Sequence, residues 1–150
     1  MVRNNKSKIN IWAILFFILL AILIGIVIWL IVKQLRENFQ MYDPEIIKIK
    51  KKLSLIHPAV NKLEFYASDK SYTINKHKVH LCLRDEHDKY YDDNMLIYVA
   101  LHELAHVLCD EIGHTEKFSI IFQELLDKAE KIGIYDSSIP PIKNYCNYSS

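Results

Sequence analysis

Hydrophobic positions change their period along the chain, and each change marks an element. From Ile11 to Val32 no charged or polar side chain interrupts the apolar run. Those 22 residues make about 33 Å of helix, which matches the hydrocarbon core of a bilayer. Trp12 and Trp29 lie near its ends, where indole rings favour the membrane interface. A cleaved signal peptide would have a shorter apolar region and a small-residue cleavage site, and neither is present. The run therefore predicts one transmembrane helix over residues 11–32. A polar tail, residues 1–10, precedes it, and a polar connector, residues 33–42, follows. Ala21 and Gly25 form a small-x-x-x-small pair, a spacing found in helix dimers and also in ordinary lipid-facing helices.

Beyond residue 42 the periods become shorter. Asp43-Pro44 reads as a capped helix start, and Ile46, Ile47, Ile49, Leu53 and Ile56 alternate with Lys48, Lys50, Lys51 and Lys52 as in an amphipathic helix with a basic face. The lysines make either a solvated face or a contact for anionic lipid. Leu63 to Ser68 alternates as a strand. Ser71–Ile74 and His77–Arg84 read as two strands joined around Asn75-Lys76, with Val79, Leu81 and Leu83 on one side. Met95 to Cys109 is an apolar run of helical length, apolar nearly all round from Met95 to Leu101 as in a buried helix, with Asp92 or Asp93 as its cap and Gly113 as its stop. Phe118, Ile121, Phe122, Leu125, Leu126, Ala129 and Ile132 predict an amphipathic helix that Gly133 ends. Residues 137–150 read as an extended tail. The prediction is an α+β domain over residues 43–136, with a small antiparallel or mixed sheet, a central helix and a C-terminal packing helix.

The central helix carries His102-Glu103-Leu104-Ala105-His106, an H-E-x-x-H motif. Residues four apart on a helix share a face, so the two imidazoles can grip one ion. Neutral imidazoles suit Zn²⁺, and Glu103 beside the first ligand can serve as a general base without occupying the metal. A hydrolytic site needs a third ligand and one open position. His114 is the third candidate, with Glu116 as its competitor; Glu116 also suits the first turn of a helix as an acid. Cys109 is a weaker candidate, since free cysteine is more often simply buried. Asp110, four residues past His106, is placed to accept from that imidazole or to stand in solvent. Two incidental histidines on a buried helix would be the plain alternative, at a desolvation cost of several kcal/mol. His77, His80 and His87 read as surface or rim histidines.

HELAH, followed by Gly113-His114 and by His114-Thr-Glu-Lys-Phe118 as H-x-x-x-F, resembles the WLM and SprT-like zinc metallopeptidases. The resemblance is close over about Asp92–Lys131 and loose over Asp43–Asp136. It implies a minimal zincin-like fold with one catalytic Zn²⁺ on His102, His106 and His114, and Glu103 as catalytic base. It also implies a protein or peptide substrate that pairs with the strand before the metal helix, Val79–Leu83. A tyrosine would help stabilise the transition state, with Tyr90, Tyr91, Tyr98 and Tyr135 available. The expected function is thus a membrane-anchored zinc metallopeptidase, held in the bilayer by residues 11–32. The alternatives are an inactive zinc-holding interaction module and a structural membrane protein without metal.

Charge adds little. Lys and Arg total 19 against 18 acids, which gives no case for a nucleic-acid partner. Arg3, Lys6 and Lys8 flank one end of the apolar run; Lys33, Arg36 and the lysines beyond flank the other. By a narrow margin the positive-inside rule places the domain on the cytoplasmic side of a single-pass protein. Three cysteines, Cys82, Cys109 and Cys146, are an odd number without paired spacing. They imply no disulfide framework and point to a reducing compartment. Two N-x-S sequons, at Asn5 and Asn147, fall in the tails.

Overall fold

A computed structural model describes residues 10–146; Arg3, Lys6, Lys8 and both sequons lie outside the described residues. The chain divides into two units, residues 1–37 and 38–150. The first contains most of α1 (Ile11–Met41). Its apolar part, Ile11–Glu37, is long and apolar enough to cross a membrane. The helix does not give way to a connector at residue 33 as expected. Lys33, Gln34, Leu35, Arg36 and Glu37 are all good helix formers, and neither glycine nor proline intervenes before Pro44.

The second unit is α+β. It holds α2 (Pro44–Ser54), a 3₁₀ turn (Pro58–Lys62), β1 (Glu64–Ser68), β2 (Tyr72–Ile74), β3 (Lys78–Cys82), α3 (Asp93–Leu108) and α4 (Glu116–Lys131). Asp43 caps α2 through the amide of Glu45, with Pro44 opening the helix. Ile46, Ile49 and Leu53 are buried on one face. Two lysines of the other face have a structural job: Lys48 and Lys52 each reach Asp93 at 2.5 Å, tying α2 to the start of α3. Lys50 donates to the carbonyl of Leu63.

The three strands form a mixed sheet in the order β1-β3-β2. β1 runs parallel to β3 and β2 antiparallel to it. The predicted turn is present, with Asn75 and Lys76 both at positive φ. Val79, Leu81 and Leu83 are buried as the alternation required. One expectation changes: β3 is the central strand, flanked by β1 along Lys78–Cys82 and by β2 along Lys78–His80, so over that stretch β2 and not β3 is the outer strand.

α3 is the core helix. Met95, Leu96, Ile97, Val99, Ala100, Leu101, Leu104 and Ala105 are buried on it, packed by α2, the sheet and α4. Asp92 caps it by accepting from the amide of Met95. The helix ends at Leu108, well before Gly113, because Cys109 turns to extended backbone. The ammonium of Lys76, on the β2–β3 turn, then takes the Cys109 carbonyl. Thr115 caps α4, and Gly133, at φ +73°, closes it. There the amide of Gly133 bonds the Glu130 carbonyl and that of Ile134 the Ala129 carbonyl.

The cysteine reading is corrected. Cys82 and Cys146 form a disulfide, and Cys109 is free and buried. The odd count required only one unpaired thiol. The argument from cysteines to a reducing compartment therefore falls away. The described part of the predicted tail is also held to the domain: Tyr145 bonds the Cys82 carbonyl and Ser71, and its ring packs against Tyr91. The folded unit thus runs on past residue 136 to Cys146.

The bridge spans a sequence separation of 64 residues, and closing a loop of that order stabilises a fold by about 2–4 kcal/mol. Cys146→Ser in the full chain is expected to lower unfolding free energy by about that amount. Denaturation of the oxidised proteins measures it, and equal stability would contradict the tether.

Candidate metal centre

Three elements converge on one point. His102 and His106 stand one turn apart on the buried helix α3. The segment after α3 doubles back through Gly113, whose φ of +89° favours glycine. That turn delivers His114 just before the Thr115 cap of α4. The Nε2 atom of His102 lies 3.2 Å from Nε2 of His106 and 3.0 Å from Nε2 of His114. Each of the three residues offers one ligand atom, and these lie within 4.8 Å of one another.

Hydrogen bonding among the rings does not explain this arrangement. The His102 nitrogen has either one proton or one in-plane lone pair, and it faces two partners. At most one of the contacts is a good bond. A cation at the centre suits all three lone pairs. Nitrogens at 2.0–2.1 Å from a tetrahedral zinc stand about 3.3–3.4 Å apart, within a few tenths of an ångström of the observed spacings.

The surroundings favour neutral rings. Burial, reinforced by the neighbouring His106 and His114, lowers the His102 pKa to about 4. Burial also lowers that of His106, with His114 adding to the effect. Phe118 packs against all three imidazoles, with ring centroids 5.0, 4.3 and 4.9 Å from His102, His106 and His114. Phe122 backs His102 at 5.2 Å and is itself packed by Tyr98. α4 thus supplies an aromatic wall that limits ring motion.

Among the described residues Glu103 is the buried charged one, at 6 % exposure. Burial pushes its carboxyl above the ordinary range, and a hydrogen bond from Thr73 opposes that shift. Thr73 Oγ1 donates to Glu103 Oε2 at 2.8 Å. The sequence did not single out Thr73. Strand alternation could have placed it opposite the exposed Tyr72 and Ile74, but the helix it meets depends on sheet order.

The other candidates lie elsewhere. Glu116 occupies the first turn of α4, the acid position expected of it, and does not join the histidine cluster. Cys109 is buried at the end of α3, outside the cluster. Asp110 does not support His106; it pairs with Lys117 at 2.6 Å, drawn to the nearer full charge. His77 lies beside Glu64 and His87 beside Glu86. His80 is stacked between Tyr66 and Tyr72. Tyr90 bonds Asp43 and Arg84, and Tyr91 bonds the amide of Cys146.

The chain is 44% identical over 125 residues to uncharacterized protein 136R of Invertebrate iridescent virus 6, covering 77% of this chain and 70% of that protein. It is 54% identical over 88 residues to uncharacterized protein 042R of Invertebrate iridescent virus 3, covering 58% and 55% respectively. It is 39% identical over 109 residues to uncharacterized protein R325 of Acanthamoeba polyphaga mimivirus, covering 67% and 53%. The chain thus spans about half the length of the second and third relatives. No family model and no solved structure matches it.

The lowered His102 pKa makes a testable statement about the metal-free protein. Between the ordinary value of 6.5 and about 4, the unfolded chain takes up a proton that the folded one refuses. This histidine's contribution to stability is thus full above pH 6.5 and is lost as pH falls towards 4. An NMR titration of metal-free protein should show His102 still neutral at pH 5.5. A midpoint near the ordinary value of 6.5 would contradict its burial.

Proposed function

The chain belongs to the family of uncharacterized protein 136R of Invertebrate iridescent virus 6, and we propose that it is a membrane-anchored, zinc-dependent metallopeptidase. The observation that carries this reading is the meeting of three imidazole nitrogens beside a buried glutamate of the same H-E-x-x-H helix. A structural zinc site has four protein ligands, whereas three ligands with a neighbouring acid describe a hydrolytic one. The resemblance to WLM and SprT-like metallopeptidases rests on these residues and assigns the domain a minimal zincin-like fold.

In this reading His102, His106 and His114 hold one Zn²⁺ as neutral Nε2 donors. Bound there, zinc would supply Lewis acidity and bring a water at its open position towards neutral pKa. Glu103 is the base. One carboxylate oxygen takes the proton as the water oxygen bonds to the peptide carbonyl carbon. Glu103 then returns that proton to the amide nitrogen as the C–N bond breaks. Phe118 and Phe122 keep the imidazoles in place from the side of α4. Residues 11–37 serve as the bilayer anchor, so substrates are proteins or peptides that reach a membrane-tethered domain.

The test is one protein in three states. Purified full-length chain is expected to bind one Zn²⁺ and cleave an unfolded protein, with a chelator abolishing cleavage. Glu103→Gln should retain zinc and lose at least about 100-fold in turnover; His114→Ala should lose both zinc and cleavage. Zinc binding without cleavage in the wild type would indicate an inactive interaction module, and wild-type turnover in Glu103→Gln would remove the base from the mechanism.

A further inference from the structure

We propose that Thr73 is the positioning residue for Glu103: its hydroxyl holds carboxylate oxygen Oε2 and leaves Oε1 as the oxygen that exchanges protons. The inference rests on the peptidase reading and extends it to a residue outside the motif.

Glu103 is placed on α3 by the same helix that places the histidines, but its carboxylate is not fixed by the helix. Three rotatable bonds separate Cα from the carboxyl oxygens, and a buried carboxylate takes the orientation its partners impose. Among the described residues, the side-chain partner is Thr73, at 2.8 Å from Oε2. The same hydroxyl oxygen lies 3.4 Å from the Glu103 main-chain carbonyl. A hydroxyl carries one proton, so the shorter contact to the carboxylate is the real donation. The second distance shows that the threonine sits close over the Glu103 residue as a whole, with its reach set from the sheet.

That reach is stiff. Thr73 is β-branched and restricted at χ1. It is the middle residue of β2, paired opposite Val79 of β3, which is fully buried at 0 % exposure. Tyr72 and Ile74 point the other way, at 41 % and 40 % exposure, as strand alternation requires. β2 therefore contributes one inward side chain between two outward ones. A sheet pinned to the core and a helix pinned to the core are joined by this hydroxyl, across a sequence gap that the motif does not contain. A valine fills the same space and donates nothing. A serine donates and fills less.

The closing experiment uses the full chain in detergent micelles, zinc-loaded, with casein as an unfolded substrate. Thr73→Val is expected to lower kcat about 10- to 100-fold, with KM and zinc stoichiometry within about twofold of wild type. Thr73→Ser should restore kcat to within about threefold. A second readout does not depend on turnover. In metal-free protein with ¹³C-labelled glutamate carboxyls, the Glu103 resonance, identified by its loss in Glu103→Gln, should shift in Thr73→Val and stay in Thr73→Ser. Unchanged kcat in Thr73→Val, a change in KM alone, or a serine variant no better than valine overturns the inference while leaving the peptidase reading intact. If Thr73→Val does not fold, the serine variant decides, because loss of kcat with the hydroxyl retained also overturns it. A zinc-loaded wild type that cleaves nothing overturns the peptidase reading and the proton-transfer role with it; the resonance then still reports whether the hydrogen bond orients the carboxylate.

Discussion

An imidazole nitrogen of His102 held about 3 Å from those of both His106 and His114 is repelled unless something sits among them or their protons are shared. Sharing can satisfy one pair here, not two. The cluster is therefore maintained by what surrounds it, and the domain reads as a device for that purpose. α3 is buried along most of its length, so His102 and His106 have no freedom to part. Phe118 and Phe122 close the side facing α4. The turn through Gly113 and the Thr115 cap fix where His114 enters.

This dependence explains features that otherwise look unrelated. Lys48 and Lys52 of α2 both end on Asp93 at the start of α3, while Lys76 of the β2–β3 turn takes the carbonyl at its end. The helix that carries His102 and His106 is thus clamped at both termini by cations, and the one at its C-terminus, Lys76, also suits the carbonyls exposed there. The disulfide and Tyr145 fasten the segment at Tyr145–Cys146 to Cys82 and Ser71, beside the strand that carries Thr73. A site that tolerates little positional slack sits on rigid elements.

Much of this was legible in the sequence. The spacing within His102–His106 put two donors on one face whatever the tertiary fold, and the apolar run around them required a buried helix. The Asp43-Pro44, Asp92 and Gly133 signals gave helix limits through local capping chemistry. What the sequence hid was non-local. Sheet order placed β3 in the centre and β2 at the edge, and nothing in the alternation of Val79–Leu83 distinguishes those arrangements. The Cys82–Cys146 bond joins residues a sequence separation of 64 apart, a distance over which spacing carries no information. Asp110 was four residues from His106, but Lys117, brought near by the turn into α4, offered a stronger partner. Gly113 looks like a helix stop in the sequence because glycine marks one so often. Here Cys109 ends the helix, and the glycine serves the turn that presents His114.

The proposed hydrolysis requires one ion held by three imidazoles. X-ray absorption at the zinc edge of the zinc-loaded full-length chain tests that most directly. The account predicts three imidazole nitrogens and one oxygen at about 2.0–2.1 Å, with the histidine signal reduced when His114 is replaced. A sulfur scatterer at about 2.3 Å, or a histidine signal indifferent to that replacement, would contradict it.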